Sequence, residues 1–284
     1  MAIRPRTLPA AAAPVVVGAA MAWHDGAGHA LAAGCALAGA LLIQIGTNLA
    51  NDYFDFRKGA DTPERIGPVR VTQAGLIAPA TVRNSFILAF ALAALVSLYL
   101  VWRGGWPVVA IGVFSIAAGI LYTAGRHALG YLGLGDIFVL VFFGPVAVAG
   151  TYYVQALRLD PAAVAAGVGP GLLSTAILCV NNLRDIDADR KAGKRTLAVR
   201  FGRVFARWEY CLCLLGAALV PFCFVTGPHA HPWTLLAALT LLVAAPVIRT
   251  VLTLSEGPAL NEALAATGRV LLCYAALFSI GWCL

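Results

Sequence analysis

The sequence reads ALAAGCALAGALLIQIGTNLANDYFDFRK over residues 30–58. Its first part, residues 30–50, carries no charged residue and is long enough to cross the ~30 Å hydrocarbon layer of a bilayer as a helix. Two carboxylates, Asp52 and Asp55, follow directly, and an Arg-Lys pair ends the stretch. This stretch therefore predicts a transmembrane helix that brings acidic and basic side chains to the membrane surface.

Apolar runs of similar length recur along the whole chain. Of its 284 residues, 61% are hydrophobic and only 12% are charged, whereas a soluble domain carries about 25% charged residues. The composition excludes a soluble globular protein, and runs this long and continuous indicate helices. We predict an all-α, multi-spanning transmembrane bundle of about nine helices, forming a single domain over residues 1–284. The runs lie near residues 8–23, 30–50, 85–102, 106–123, 136–154, 162–181, 207–227, 232–253 and 265–284.

The basic residues predict how these helices are oriented. If the N-terminus is cytoplasmic and each run crosses once, every Lys and Arg except Arg103 and Arg158 falls inside, as the positive-inside rule requires. This asymmetry accounts for the net charge of +7, so no nucleic-acid partner is predicted. We expect an integral membrane protein with a functional site facing the cytoplasm, where two long loops, residues 51–83 and 182–206, are predicted.

Two similar strings begin these loops. The first is NLANDYFDFRK at residues 48–58, and the second is NNLRDIDADRK at residues 181–191. Membrane proteins often carry internal repeats with a shared site at the repeat interface. We therefore interpret the chain as a duplicated four-helix unit followed by a ninth helix, with one composite site between the halves.

The spacing within the strings predicts a metal site. Helix positions i, i+4 and i+7 or i+8 share one face, and each string supplies an asparagine and two aspartates at such positions. Carboxylates at the end of an apolar span are costly unless they bind a cation, and oxygen donors of this kind suit Mg²⁺. The predicted Mg²⁺ ligands are Asn48, Asp52, Asp55, Asn181, Asp185 and Asp189, and the four aspartates are also predicted to be catalytic.

Basic residues follow each acidic string. Acids followed by bases fit a diphosphate whose charge is shared between a metal and cationic side chains. The predicted diphosphate contacts are Lys58, Arg65, Arg70, Lys194 and Arg195.

Other polar residues inside the apolar runs are predicted to be structural. The seven cysteines lie in apolar stretches without a C-x-x-C pair, which is typical of packing residues. Asp136 is predicted to be the N-cap of the fifth helix.

Taken together, these strings resemble the UbiA superfamily of membrane prenyltransferases over essentially the whole chain. Shorter strings are similar to the branch that acts on 1,4-dihydroxy-2-naphthoate in menaquinone biosynthesis: RPRTLP at residues 4–9, RIGPVR at 65–70, GYLGLGD at 130–136 and GTYYVQ at 150–155. The resemblance implies a Mg²⁺-dependent enzyme of the bacterial inner membrane that transfers a polyprenyl chain from its diphosphate to the naphthoate. Loss of CO₂ and diphosphate would then give demethylmenaquinol.

The resemblance leaves several points open. Many superfamily members carry a third acid where this chain has Gly59, and Asp61 stands two positions later. Tyr122 and Arg126 are the candidates for acceptor binding, Arg126 through the acceptor carboxylate and Tyr122 by stabilising a cation. Alternative functions are prenylation of 4-hydroxybenzoate or haem by a related enzyme, or transport by a repeat-built membrane protein.

Overall fold

The computed structural model of the chain describes residues 2–60, 67, 70–125, 128–227, 230–254 and 257–284. Within these ranges all regular secondary structure is helical. The α-helices are α1 (Leu8–His24), α2 (Ala30–Arg57), α3 (Pro79–Gly104), α4 (Trp106–Leu121), α5 (Leu129–Leu132), α6 (Gly135–Phe142), α7 (Pro145–Ala156), α8 (Pro161–Lys191), α9 (Leu197–Leu219), α10 (Thr240–Thr253) and α11 (Gly257–Cys283). Short 3₁₀ segments cover Pro5–Thr7, Val220–Phe224 and Pro232–Leu239.

Nine segments of the described chain are apolar enough to lie in a bilayer. Eight are long enough to cross it, and the remaining apolar helix, α4, is shorter. The eight spans are Pro5–His24, Ala30–Arg57, Pro79–Gly104, Gly135–Ala156, Pro161–Lys191, Leu197–Phe224, Pro232–Thr253 and Gly257–Cys283. With α4 in fourth place they coincide in order with the predicted runs. The predicted all-α bundle of about nine helices is confirmed.

The fifth span is broken, and its breaks follow glycines. Gly133 ends α5 with a left-handed φ of 74°, and a Cβ there would lie 2.5 Å from the Arg195 carbonyl oxygen. Gly144 separates α6 from α7, and a Cβ there would lie 2.6 Å from the Gly167 carbonyl oxygen in α8. Only glycine, which has no Cβ, fits at either position. The two glycines therefore allow the chain to break there, and α6 packs close against α8. Asp136 is the second residue of α6, which begins after Leu134, so it is not the predicted N-cap.

Both acidic strings lie on helices rather than in loops. Helix α2 continues to Arg57, and α8 continues to Lys191. The predicted loops 51–83 and 182–206 therefore begin too early, because their first residues are helical. The second predicted loop also ends too late, because α9 already begins at Leu197. The physical reason is that the helices extend past their apolar parts, which keeps the acids at fixed helical spacing.

Helix α8 is the central helix of the bundle. In its apolar window 72% of the residues are buried, whereas no other span exceeds 50%. Its buried residues belong to the largest hydrophobic cluster, together with residues of α1, α7, α9 and α11. The second acidic string is thus held on the most enclosed helix, while the first is carried by the less buried α2.

Candidate active site

The two acidic strings meet at a polar cavity of ≈ 60 Å³. Seven predicted site residues line it: Asp55, Arg70, Tyr122, Asn181, Asp185, Asp189 and Lys194. The other lining residues are Arg4, Asn51, Thr123, Gly130, Tyr131, Asn182 and Thr196. The structure therefore brings residues of both strings to one place, as the repeat predicted.

Asp55 contacts three side chains of the cavity. Its Oδ2 lies 3.1 Å from Arg70 Nη2 and 3.3 Å from Lys194 Nζ, and its Oδ1 accepts a 3.0 Å hydrogen bond from the Tyr131 hydroxyl. Lys194 Nζ also lies 3.5 Å from Asp189 Oδ1. Lys194 therefore links an acid of α2 to an acid of α8, and both carboxylates are already held in a cationic environment.

Asp185 is paired within its own string. Arg184 donates from Nε to Asp185 Oδ1 at 2.7 Å and from Nη2 to Oδ2 at 2.6 Å, and both side chains are almost fully buried. The same guanidinium donates to the side-chain oxygens of Asn181 and of Asn261 in α11, each at 2.8 Å. This arginine orients Asp185 and Asn181 together and ties α8 to α11.

Four predicted residues do not line the cavity. The Asn48 amide donates to the Ile3 carbonyl oxygen at 2.8 Å and to Thr7 Oγ1 at 3.0 Å, so it fastens the N-terminal segment. Asp52 is buried and accepts a 3.4 Å bond from the backbone N–H of Thr72. The contribution of either residue to metal binding stays a prediction.

The other two predicted residues that do not line the cavity are basic. Lys58 donates to the Thr123 carbonyl oxygen at 2.6 Å, and its Nζ lies 4.1 Å from the centre of the Tyr131 ring. Burial lowers the pKa of Lys58, and the nearby Asp55 carboxylate partly offsets that effect. Arg195 has an exposed side chain, and only its backbone N–H reaches Tyr131, whose carbonyl oxygen it contacts at 3.0 Å.

Three residues named from the sequence lie outside the described part of the chain: Asp61, Arg65 and Arg126. Their predicted roles remain predictions.

The structure also adds residues that the sequence did not assign. Tyr131 and Arg184 lie inside two strings that were already singled out, GYLGLGD and NNLRD. Membership in these strings was the signal that could have identified both residues as parts of the site. Asn261 stands in no such string and reaches Arg184 only through the packing of α11.

An apolar cavity of ≈ 200 Å³ adjoins the polar one. It is lined by residues of α1, α2, α3, α4, α6 and α7, and Tyr122 lines both cavities. Two glycines make room for this ring, since a Cβ at Gly130 or Gly135 would lie 2.9 Å from a Tyr122 atom. Tyr122 therefore stands where a polar head and an apolar tail would join.

The oxygen donors of the polar cavity fit a hard divalent cation. The carboxylates of Asp55, Asp185 and Asp189 and the amides of Asn181 and Asn182 surround one space. Mg²⁺ typically takes few carboxylates and completes its shell with water and substrate phosphates. The cationic side chains beside those acids are suited to bind the phosphates of such a substrate.

An acid- and cation-lined cavity joined to an apolar one inside a membrane bundle suits an amphiphilic substrate with an anionic head group. Residues 11–282 match the UbiA prenyltransferase family, and the chain belongs to this family. It is therefore an integral membrane prenyltransferase.

Individual relatives agree in sequence and fold. The 1,4-dihydroxy-2-naphthoate octaprenyltransferase of Escherichia coli strain K12 is 45% identical over 250 residues, covering 85% of this chain and 81% of the relative. A UbiA homolog from Aeropyrum pernix K1 has the same fold with a TM-score of 0.73 at 16% identity, over 98% of both chains. A UbiA homolog from Archaeoglobus fulgidus, in a structure bound to DMAPP and Mg²⁺, has a TM-score of 0.57 at 14% identity, again over 98% of both.

Proposed function

We propose that this protein transfers a polyprenyl group from polyprenyl diphosphate to 1,4-dihydroxy-2-naphthoate and releases diphosphate and CO₂, giving demethylmenaquinol for menaquinone biosynthesis. The observation that carries the proposal is the junction of the two cavities at Tyr122. The relative of 45% identity supports the naphthoate acceptor over 4-hydroxybenzoate or haem. Transport is not favoured, because the chain belongs to a prenyltransferase family.

The polar cavity is proposed to hold the diphosphate. Asp55, Asp185 and Asp189, with Asn181, would hold Mg²⁺, which supplies positive charge to the diphosphate as it departs. Arg70 and Lys194 are bonded to Asp55. With substrate bound, their cationic groups would bond phosphate oxygens instead, together with Lys58 and the predicted contacts Arg65 and Arg195.

The chemistry proceeds at the junction of the cavities. The allylic C–O bond breaks, and both of its electrons leave with the diphosphate. The Tyr122 ring would stabilise the resulting cation through its π face, while the apolar cavity holds the chain and excludes water. The acceptor carbon that bears the carboxylate attacks the cation; CO₂ then leaves and returns its bonding electrons to the ring. Arg126 is proposed to hold that carboxylate until it departs.

The proposed reaction is tested by product mass. Membranes containing the protein should join a labelled polyprenyl diphosphate to 1,4-dihydroxy-2-naphthoate, and the product should lack the carboxylate. Chelation should stop the reaction, and added Mg²⁺ should restore it. Efficient prenylation of 4-hydroxybenzoate with its carboxylate retained would instead assign the chain to a different acceptor class.

The site is proposed to face the cytoplasm of a bacterial inner membrane, because nearly all Lys and Arg lie on its side. In a cysteine-free background, Leu76→Cys and Arg190→Cys should react with an impermeant thiol reagent only after the membrane is permeabilised. Leu159→Cys, exposed in the connection between α7 and α8, is the control and should react in intact cells. The reverse pattern would contradict the orientation.

The apolar cavity is proposed to hold the prenyl chain. Gly112 lines it, and a Cβ at this position would meet no atom within 4 Å. Gly112→Phe should therefore fold, but its ring would occupy space needed by the chain. Excluding one five-carbon unit removes about 3–4 kcal/mol of burial free energy. We expect kcat/KM for a long polyprenyl diphosphate to fall about 100-fold or more, and that for dimethylallyl diphosphate to change much less.

The matched control for this variant is Gly34→Phe. Gly34 is also a helix glycine with open space around a Cβ, but it is exposed and lines neither cavity. Equal loss with long and short donors in Gly112→Phe, or the same loss in Gly34→Phe, would contradict this role for the cavity.

A further inference from the structure

Behind the polar cavity lies a second cluster of metal-ligating side chains. Asp136 of α6, Cys179 of α8 and Glu209 of α9 each point one ligand atom to a common place, and these atoms all lie within 4.8 Å of one another. None of the three lines the polar or the apolar cavity. The proposed reaction therefore assigns them no part.

Within the part of the chain that the structure describes, the carboxylates of this cluster have no cationic partner. Among the described residues, no Lys, Arg or His forms an ion pair with Asp136 or Glu209. Asp136 is 7% exposed, and its Oδ1 is buried without a hydrogen-bond partner in the described part of the chain. Asp136 is buried and Glu209 is half-buried, and two carboxylates this close together between apolar helices are costly without a cation. The cluster is therefore short of positive charge.

We propose that Asp136, Cys179 and Glu209 bind a divalent transition-metal ion of the Zn²⁺ class, separate from the catalytic Mg²⁺. A thiolate ligand favours such an ion over Mg²⁺ or Ca²⁺. Tetrahedral Zn²⁺ sites have ligand atoms about 3.3–3.8 Å apart, so small side-chain rotations would close the cluster around the ion. Cys213 of α9 contacts the Cys179 thiol but is not part of the three-residue cluster, so a water molecule would supply the fourth ligand.

The location of the ion indicates a structural task. Its ligands come from three helices, and Cys179 precedes Asn181 of the polar cavity by two residues. Asp136 directly follows Gly135, which packs against the Tyr122 hydroxyl. A bound ion would join α6, α8 and α9 and so fix the wall of the polar cavity from behind.

Metal binding can be tested on the full-length protein in detergent. With Mg²⁺ in large excess, the wild-type chain should bind about one Zn²⁺, and Zn²⁺ should raise its Tm. Asp136→Asn, Cys179→Ser and Glu209→Gln should each lose this ion. Asp185→Asn, which alters the catalytic cavity, and Cys211→Ser, which removes a neighbouring thiol of α9, should both retain it.

A second measurement uses only the wild-type fold. Co²⁺ in place of Zn²⁺ should give a thiolate-to-metal charge-transfer absorption, and Zn²⁺ should protect Cys179, but not Cys211, from a membrane-permeable maleimide. Absence of the absorption, or loss of Zn²⁺ binding in Asp185→Asn with retention in Cys179→Ser, would overturn the proposal. In that case the three residues are protonated, mutually hydrogen-bonded groups of the helix interface.

Discussion

Asp55→Asn is expected to lower turnover about 10²–10³-fold, the loss typical of removing one group that stabilises charge developing in a transition state. Asp55 contacts Arg70, Lys194 and Tyr131, so its charge both attracts a metal and positions two cations for the diphosphate. Asparagine keeps the size of the side chain but removes that charge. Turnover is measured at saturating donor and acceptor over a range of Mg²⁺ concentrations.

Asp189→Asn should produce a loss of similar size, because Asp189 shares Lys194 with Asp55 across the cavity. If the two acids serve one metal–diphosphate unit, the double variant should be little slower than either single variant, since coupled catalytic groups are not additive. Multiplicative losses would indicate two independent roles.

Asp187→Asn is the matched control for both variants. Asp187 belongs to the same string, but it is exposed and pairs with Arg203 at 2.6 Å and Arg190 at 3.5 Å, away from the cavity. Its replacement should leave turnover nearly unchanged. Near-native rates in Asp55→Asn at modest Mg²⁺ would contradict the assignment of the cavity to the diphosphate.

The sequence alone predicted three of the acids that meet, whereas Asp52, the fourth acid of the predicted set, does not line the cavity. Regular helical spacing holds carboxylates on one face whatever the tertiary structure, and the repeat indicated that the two faces belong to one site. Asp55, Asp185 and Asp189 do line one cavity. The helices that carry them were recognisable because the bilayer allows few alternatives to a long apolar helix.

A shared helix face does not guarantee a shared site, and Asn48 shows why. It lies seven residues before Asp55, which is about 10 Å along the helix axis. At that depth its neighbours are Ile3 and Thr7 of the N-terminal segment rather than the cavity. Spacing predicts direction around the axis, whereas position along it depends on which segment packs there.

Residues that depend on tertiary packing were not predictable. Tyr131 reaches Asp55 because the glycine-rich break between α5 and α6 places its ring beside the cavity, and Asn261 reaches Arg184 because α11 packs against α8. Neither contact follows from a periodicity. Cys179 was predicted to be a packing residue from its apolar surroundings, which is also how a buried ligand appears in a sequence.

The buried pair of Arg184 and Asp185 should be the most sensitive point of the fold near the site. Arg184→Met should destabilise the protein by about 3–5 kcal/mol, because it leaves a buried carboxylate without its main cationic partner. It also removes the bonds to Asn181 and Asn261, so turnover should be lost together with stability. Thermal unfolding in detergent measures the first effect, and the prenyl-transfer assay measures the second.

Two comparisons separate these effects. Arg203→Met breaks a pair of similar length with Asp187, but that pair is solvent-exposed, so its loss should cost no more than about 1 kcal/mol. The double variant Arg184→Met with Asp185→Leu removes both buried charges and should recover much of the stability, since apolar replacement of a buried ion pair is often neutral. It should nevertheless remain inactive, because Asp185 is proposed to hold the metal. Recovered turnover in that double variant would show that Asp185 serves the fold rather than the reaction. A destabilisation in Arg203→Met as large as that in Arg184→Met would show that burial does not govern the strength of these ion pairs.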